Sequence, residues 1–177
     1  MKSLRILFFG TSDFAIPALD ALMDNNYEIA GVITTPDEPA GRGQAVFPTP
    51  VKARAVFHSL PVFQPVKLDK EFWQKNVPEA DLFVVAAYGK ILPSWLLALP
   101  RYGTLNIHAS LLPKYRGPSP IQSALAMGEK ETGVTIMLMD KEIDHGLIIA
   151  LQVVSIDRDD NAITLSQRLS QIGAEML

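Results

Sequence analysis

Residues 4 to 10 read Leu-Arg-Ile-Leu-Phe-Phe-Gly, and the nearly continuous apolar run Leu4 to Phe9 (LRILFF), stopping at Gly10, is the stretch on which the fold turns. A strand with one face in water alternates apolar and polar residues, whereas a strand buried on both faces does not. The run therefore predicts a central parallel strand. Working outward, Ser12 and Asp13 are candidate caps for a helix through Met23, with Ile16, Leu19 and Leu22 or Met23 at helical spacing. Glu28 to Thr34 (EIAGVIT) reads as a second strand, followed by a Pro/Gly-rich loop from Thr35 to Pro50, a helix from about Val51 to Ser59 and a short strand in PVFQP. Asp81 to Ala87 (DLFVVAA), Thr104 to His108 (TLNIH) and Gly133 to Met139 (GVTIMLM) are further strands, and Leu147 to Ser155 should be an antiparallel strand at the sheet edge. Short β-rich runs alternating with helical stretches predict an α/β fold: a Rossmann-like, doubly wound, mostly parallel open sheet.

Composition bounds the function. With 177 residues, 48% of them hydrophobic and 20% charged, the chain fits one globular domain with a sizeable core. A formal net charge of -3 supplies no global attraction for a polyanion, so any contact with nucleic acid requires a local basic patch or chain beyond these residues. The absence of cysteine removes thiol nucleophiles, disulfides and cysteine-ligated zinc, and suits a reducing compartment. Met1 to Gly10 does not read as a signal peptide, and no apolar run reaches the ~20 residues that cross a bilayer. A soluble, cytoplasmic, monomeric protein with no membrane association is expected. Leu165, Leu169 and Ile172 or Met176 form a helical stripe that runs to Leu177 without a glycine cap, which predicts a domain truncated at its C-terminal end.

Several site types are disfavoured by their missing signatures. No G-x-x-x-x-G-K-[ST] loop is present, Gly10-Thr11-Ser12-Asp13-Phe14 lacks the glycines of a dinucleotide fingerprint, and no G-x-S-x-G elbow occurs. His58, His108 and His145 have no H-E-x-x-H or comparable carboxylate spacing, so no catalytic metal is expected. What remains is Asn106 and His108, two apart at the end of one strand and hence on the same face, where open α/β sheets form their ligand crevice. There an amide could stabilise a developing oxyanion while an imidazole moves protons. Equally, both could satisfy backbone groups of a loop.

The sequence that follows them narrows the choice. Asn106 to Gly117 fits N-x-H-x-S-L-L-P-x-x-R-G and is followed by Pro120-Ile121-Gln122, and Glu131 to Gly146 reads E-T-G-V-T-I-M-L-M-D-K-E-I-D-H-G. These two blocks resemble the signature of the formyltetrahydrofolate-dependent formyltransferases, and the likeness extends over essentially the whole chain. The resemblance implies attack of a free amine on the formyl carbon of 10-formyltetrahydrofolate as co-substrate, with Asn106, His108 and Asp144 catalytic. Asn106 would donate to the tetrahedral oxygen. His108 would stabilise it and shuttle the proton. Asp144 would orient His108, stabilise its charged form or relay the proton. His145 and the Pro118-Ser119 pair depart from the family's usual small residues.

By the same resemblance, folate should lie in a crevice lined by Ala87, Tyr88, Gly89 and Leu92 and by Met139 and Asp140, with Ser110, Leu111, Leu112 and Pro113 contributing from the SLLP loop. Read by themselves, Gly89 supplies a turn, Pro93 opens a helix, and Asp140 is a turn residue. The stretch P-D-x-P-A-G-R-G resembles the insertion with which the tRNA-directed members approach the acceptor end of initiator methionyl-tRNA. Gly41 and Gly43 would keep it mobile, while Arg42, and Lys52 on the following helix, would meet phosphate. Alternative acceptors are a sugar nucleotide or glycinamide ribonucleotide. A folate-binding or tRNA-binding module without full activity is the other class, because the small β-barrel second domain of the tRNA-directed members is not expected within these residues.

Overall fold

The structure is a computed structural model that describes residues 4–40 and 45–177. In chain order it contains β1 (Arg5–Gly10), α1 (Ile16–Asp24), β2 (Glu28–Ile33), β3 (Glu38–Ala40), β4 (Ala45–Phe47), α2 (Pro50–Phe57), β5 (Val62–Phe63) and α3 (Lys70–Asn76). These are followed by β6 (Leu82–Ala86), α4 (Ser94–Leu97), β7 (Thr104–His108), α5 (Pro120–Ala126), β8 (Glu131–Leu138), β9 (Leu147–Ser155) and α6 (Ala162–Glu175). Seven strands form one sheet in the order β5-β2-β1-β6-β7-β8-β9. The first five are mutually parallel, and β7-β8 and β8-β9 are antiparallel.

The double-sided burial inferred from LRILFF is what the sheet requires. Ile6 and Phe8 enter a core with Leu19, Val84, Ile107, Leu165 and Leu169, under α1, α2, α5 and α6. Leu7 and Phe9 point the other way, into a core with Trp73, Phe83, Val85, Tyr88 and Leu96 under α3 and α4. All four strand side chains are at most 1% exposed, each contributing about 1.5–3 kcal/mol by burial. Helices thus cover both faces, as a doubly wound sheet demands. The C-terminal stripe is real: Leu165 and Leu169 are fully buried, and Ile172 and Met176 pack partly buried against the same core. Among the described residues no helix is long and apolar enough to cross a membrane.

Four local expectations differ. Ser12 occupies a cap position but makes no side-chain cap bond; a 3-10 turn at Asp13–Ala15 intervenes, and α1 opens with Pro17 in its first turn, where a missing N–H costs nothing. Within the stretch read as loop, β3 and β4 pair as an antiparallel ribbon. Three residues per strand are too few for a period-two pattern to show. A short helix that was not expected, α3, covers the Leu7/Phe9 face together with α4, which follows Pro93 as expected. Strand β8 pairs antiparallel with both of its neighbours, β7 and β9, because an apolar run such as GVTIMLM carries no direction.

Candidate active site

Ile107 is turned into the core beneath α6, so its neighbours Asn106 and His108 project from the other face of β7. They emerge at the carboxyl end of the strand, beside β6, after which Ala87 and Tyr88 bond to Thr11 at the end of β1. The result is a cleft of about 680 Å³ whose lining includes Ala87, Tyr88, Leu92, Asn106, His108 and Asp144. Both β7 side chains are largely buried, Asn106 9% exposed and His108 6%. Asp144 arrives from the β8–β9 connection. Its Oδ1 stands 3.4 Å from Asn106 Nδ2 and 3.6 Å from His108 Nδ1, while its Oδ2 accepts the Gly117 N–H at 2.8 Å.

On the far side of the ring, His108 Nε2 lies 3.0 Å from the Tyr115 carbonyl oxygen. A carbonyl can only accept, so Nε2 carries a proton and Nδ1 is the position at which the ring gains or loses one. Nδ1 is also the nitrogen beside Asp144. An amide donor, an exchangeable imidazole nitrogen and a carboxylate thus converge on one spot, and such a trio can stabilise an oxyanion while moving a proton. Three residues around it, Ala87, Tyr115 and Asp144, have positive φ of 43°, 55° and 46° without being glycine. Left-handed backbone of this kind is uncommon and concentrates at functional sites.

A family sequence profile described as formyl transferase matches residues 4–177. The chain belongs to the formyl transferase family. The methionyl-tRNA formyltransferase of Sulfurihydrogenibium sp. is 48% identical over 179 residues, covering 98% of this chain and 57% of that protein. That of Thermosynechococcus vestitus is 49% identical over 181 residues, covering 98% and 54%. The chain therefore spans a little over half the length of these curated relatives. Among solved structures, phosphoribosylglycinamide formyltransferase from Bacillus halodurans superposes with a TM-score of 0.76 at 26% identity, covering 97% of this chain and 90% of that one.

Within this formyl transferase chain the expected site residues divide. Ala87, Tyr88, Gly89, Leu92, Met139 and Asp140 all line the cleft with the Asn106, His108 and Asp144 trio. Ser110, Leu111, Leu112 and Pro113 are not among its lining residues. Ser110 is fully buried, and its hydroxyl donates to the Lys114 carbonyl at 2.6 Å. The Ser110 carbonyl in turn accepts from Thr135 Oγ1 at 2.7 Å, and the same Thr135 oxygen accepts the Leu112 N–H at 3.2 Å. The SLLP loop is tied to β8 from within. Gly41, Arg42 and Gly43 lie outside the described residues. Lys52 is ion-paired with Asp37, which also accepts from Gln64 at 2.6 Å; these bonds, Lys52 first, hold the Asp37 carboxyl below its ordinary range. Arg54 donates from Nε and Nη2 to the two carboxylate oxygens of Asp20, each at 2.8 Å.

Asp140 is both a lining residue and a turn residue, its Oδ1 accepting the Glu142 N–H at 2.8 Å. His145 is exposed and bonds Asp140 Oδ2 at 2.6 Å, keeping that carboxyl below its usual range. Tyr88 is 2% exposed and its hydroxyl finds no partner among the described residues; burial pushes the phenol up to about 12. Sequence reasoning missed Tyr115 and Gly117, which act through backbone groups that no residue type announces. Among the described residues, no cluster of three or more His, Cys, Asp or Glu side chains could hold a metal ion.

Proposed function

We propose that the cleft transfers the formyl group of 10-formyltetrahydrofolate to the free amino group of methionyl initiator tRNA. The observation that carries this reading is the placement of Asp144 Oδ1 within 3.4 Å of Asn106 and 3.6 Å of His108 at the carboxyl end of β7. The amine nitrogen attacks the formyl carbon, a C–N bond forms, and the former carbonyl oxygen becomes negative. Asn106 Nδ2, held at only a long contact to Asp144, turns its N–H to that oxygen. His108 Nδ1 accepts the proton lost by the attacking nitrogen, beside the Asp144 carboxylate, and returns it to the departing folate nitrogen as the second C–N bond breaks. One proton leaves the amine and one joins tetrahydrofolate, so the step balances. The folate ring system lies along Tyr88, Leu92 and Met139, with backbone groups of Ala87 to Gly89 within the same lining.

Two acceptors compete for this reading. Relatives at 48% and 49% identity are named for methionyl-tRNA, against 26% for the phosphoribosylglycinamide enzyme. The sequence around Arg42, P-D-x-P-A-G-R-G, also resembles the insertion of the tRNA-directed members. In this reading residues 1–177 form a cytoplasmic catalytic domain that works as a monomer. The test offers the chain 10-formyltetrahydrofolate with either charged initiator methionyl-tRNA or glycinamide ribonucleotide. Formylation of the tRNA is expected; formylation of the ribonucleotide alone would overturn the acceptor, and failure to bind folate would overturn the whole reading.

A further inference from the structure

We infer that Tyr115 and Glu129 are positioning residues for His108, fixing through the Tyr115 carbonyl which ring nitrogen is left free to exchange a proton. This rests on His108 being the proton carrier of the proposed reaction. Tyr115 sits in a left-handed conformation with φ 55°, one that a tyrosine adopts only when its surroundings hold it there. Three hydrogen bonds fix it, at the preceding carbonyl, at its side chain and at its own carbonyl. The preceding carbonyl, that of Lys114, accepts the Ser110 hydroxyl at 2.6 Å. The Tyr115 side chain reaches outward, and its Oη donates to Glu129 Oε1 at 2.7 Å. The Tyr115 carbonyl then meets His108 Nε2 at 3.0 Å.

Glu129 is itself fixed by backbone. Gly128, with φ 67°, ends α5 in a left-handed turn in which the Glu129 N–H donates to the Ala124 carbonyl at 3.1 Å and the Gly128 N–H to Leu125 at 3.1 Å. This is the double bond pattern of a glycine-closed helix end. The Glu129 carboxylate accepts from two groups, Tyr115 Oη and Lys114 Nζ, the latter at 3.0 Å. Both bonds, Tyr115 first, hold the carboxyl below its ordinary range, so at neutral pH it is an acceptor. A chain of contacts therefore runs from the end of α5 through Glu129 and Tyr115 to Nε2, the ring nitrogen on the side away from Asp144. Two residues on, the Gly117 N–H holds Asp144 Oδ2, so one short loop sets both members of the proton-moving pair. Without the Tyr115 carbonyl at Nε2 the neutral ring would be free to carry its proton on Nδ1, where it could not accept one.

The test compares Tyr115→Phe and Glu129→Ala, which remove the same hydrogen bond from opposite ends and spare the ring packing of Tyr115. Each should lower kcat for formyl transfer by roughly tenfold with the KM for 10-formyltetrahydrofolate unchanged, as displacement of a positioned group does. The double variant should be no worse than either alone, because the two form one unit. Long-range 1H–15N correlation spectra of the imidazole rings, taken where the rings are neutral, should show His108 passing from Nε2–H alone to a mixture of tautomers. The His108 signals are assigned by their loss in His108→Ala, and Glu129→Asp should restore part of the effect. Unchanged His108 spectra in both variants would overturn the inference whatever happens to kcat, since a loss of kcat would then be merely structural. A changed tautomer with unchanged kcat would support the positioning and overturn the catalytic role of His108.

Discussion

Gly146→Ala should displace the Asp144 carboxylate without altering it. Gly146 stands directly before β9, where the loop from Met139 closes back on the end of β8. A Cβ built at Gly146 would lie 1.8 Å from the Leu138 carbonyl oxygen, 2.9 Å from its carbon and 3.2 Å from the Asp140 nitrogen, whereas ordinary contact begins at 3.4 Å. All three are backbone atoms, so no rotamer relieves the overlap. The loop must retreat by roughly 1.5 Å, which is large beside the 3.4 and 3.6 Å that separate Asp144 Oδ1 from Asn106 and His108. Misplacement by about 1 Å typically costs ~100-fold, or about 2.7 kcal/mol in transition-state stabilisation. The assay is kcat/KM for formyl transfer, with cooperative thermal unfolding confirming a folded variant. A folded Gly146→Ala protein with kcat/KM within threefold of the parent would refute the argument that the loop's closure on β8 sets the carboxylate.

Tyr88→Phe removes a buried hydroxyl that has no partner among the described residues, so denaturation should show a variant as stable as the parent or up to about 1 kcal/mol more stable; a loss above 1 kcal/mol would reveal a further partner. The same phenol titrates at about 12 when folded against ~10 unfolded. The unfolded chain therefore loses this proton first, and stability, intact below pH 10, falls as pH rises toward 12. The decline should be shallower in Tyr88→Phe, as ultraviolet-monitored unfolding across that range would show. Thr135→Val strands the buried Leu112 N–H and Ser110 carbonyl and should lower stability by about 2 kcal/mol; a change under 0.5 kcal/mol in chemical denaturation would contradict the bracing of the SLLP loop by β8. Because Lys52 is already paired with Asp37, Lys52→Gln should leave the slope of log affinity for tRNA against log salt unchanged, whereas loss of a phosphate contact would reduce it by about 1.

How much was legible in the sequence follows from what kind of information each feature uses. LRILFF declared a buried parallel strand because double-sided burial leaves an almost uninterrupted apolar run, and DLFVVAA shares that character. The pairing of Asn106 with His108 followed from the two-residue period of a strand, and Asp144 from the resemblance of the D-x-x-x-D-x-G block. Strand direction was not legible: β8 turns antiparallel, and apolar runs read the same both ways. Nor were charge partners. Lys52 looked available for phosphate, yet the fold pairs it with Asp37, 15 positions away in the segment between β2 and β3. Ser110 looked like a ligand group, but its hydroxyl closes a turn four residues ahead. The Tyr115 carbonyl and the Gly117 N–H were beyond reach, since every residue carries such groups and only geometry selects among them.

The measurement that bears most directly on the account is formyl transfer from 10-formyltetrahydrofolate to charged initiator methionyl-tRNA by the parent chain and by His108→Ala, with folate binding followed in parallel. The account predicts unchanged folate affinity and a fall in kcat on the order of 100- to 10,000-fold, as loss of a general acid–base group produces. A His108→Ala protein that binds folate and turns over at the parent rate would contradict it.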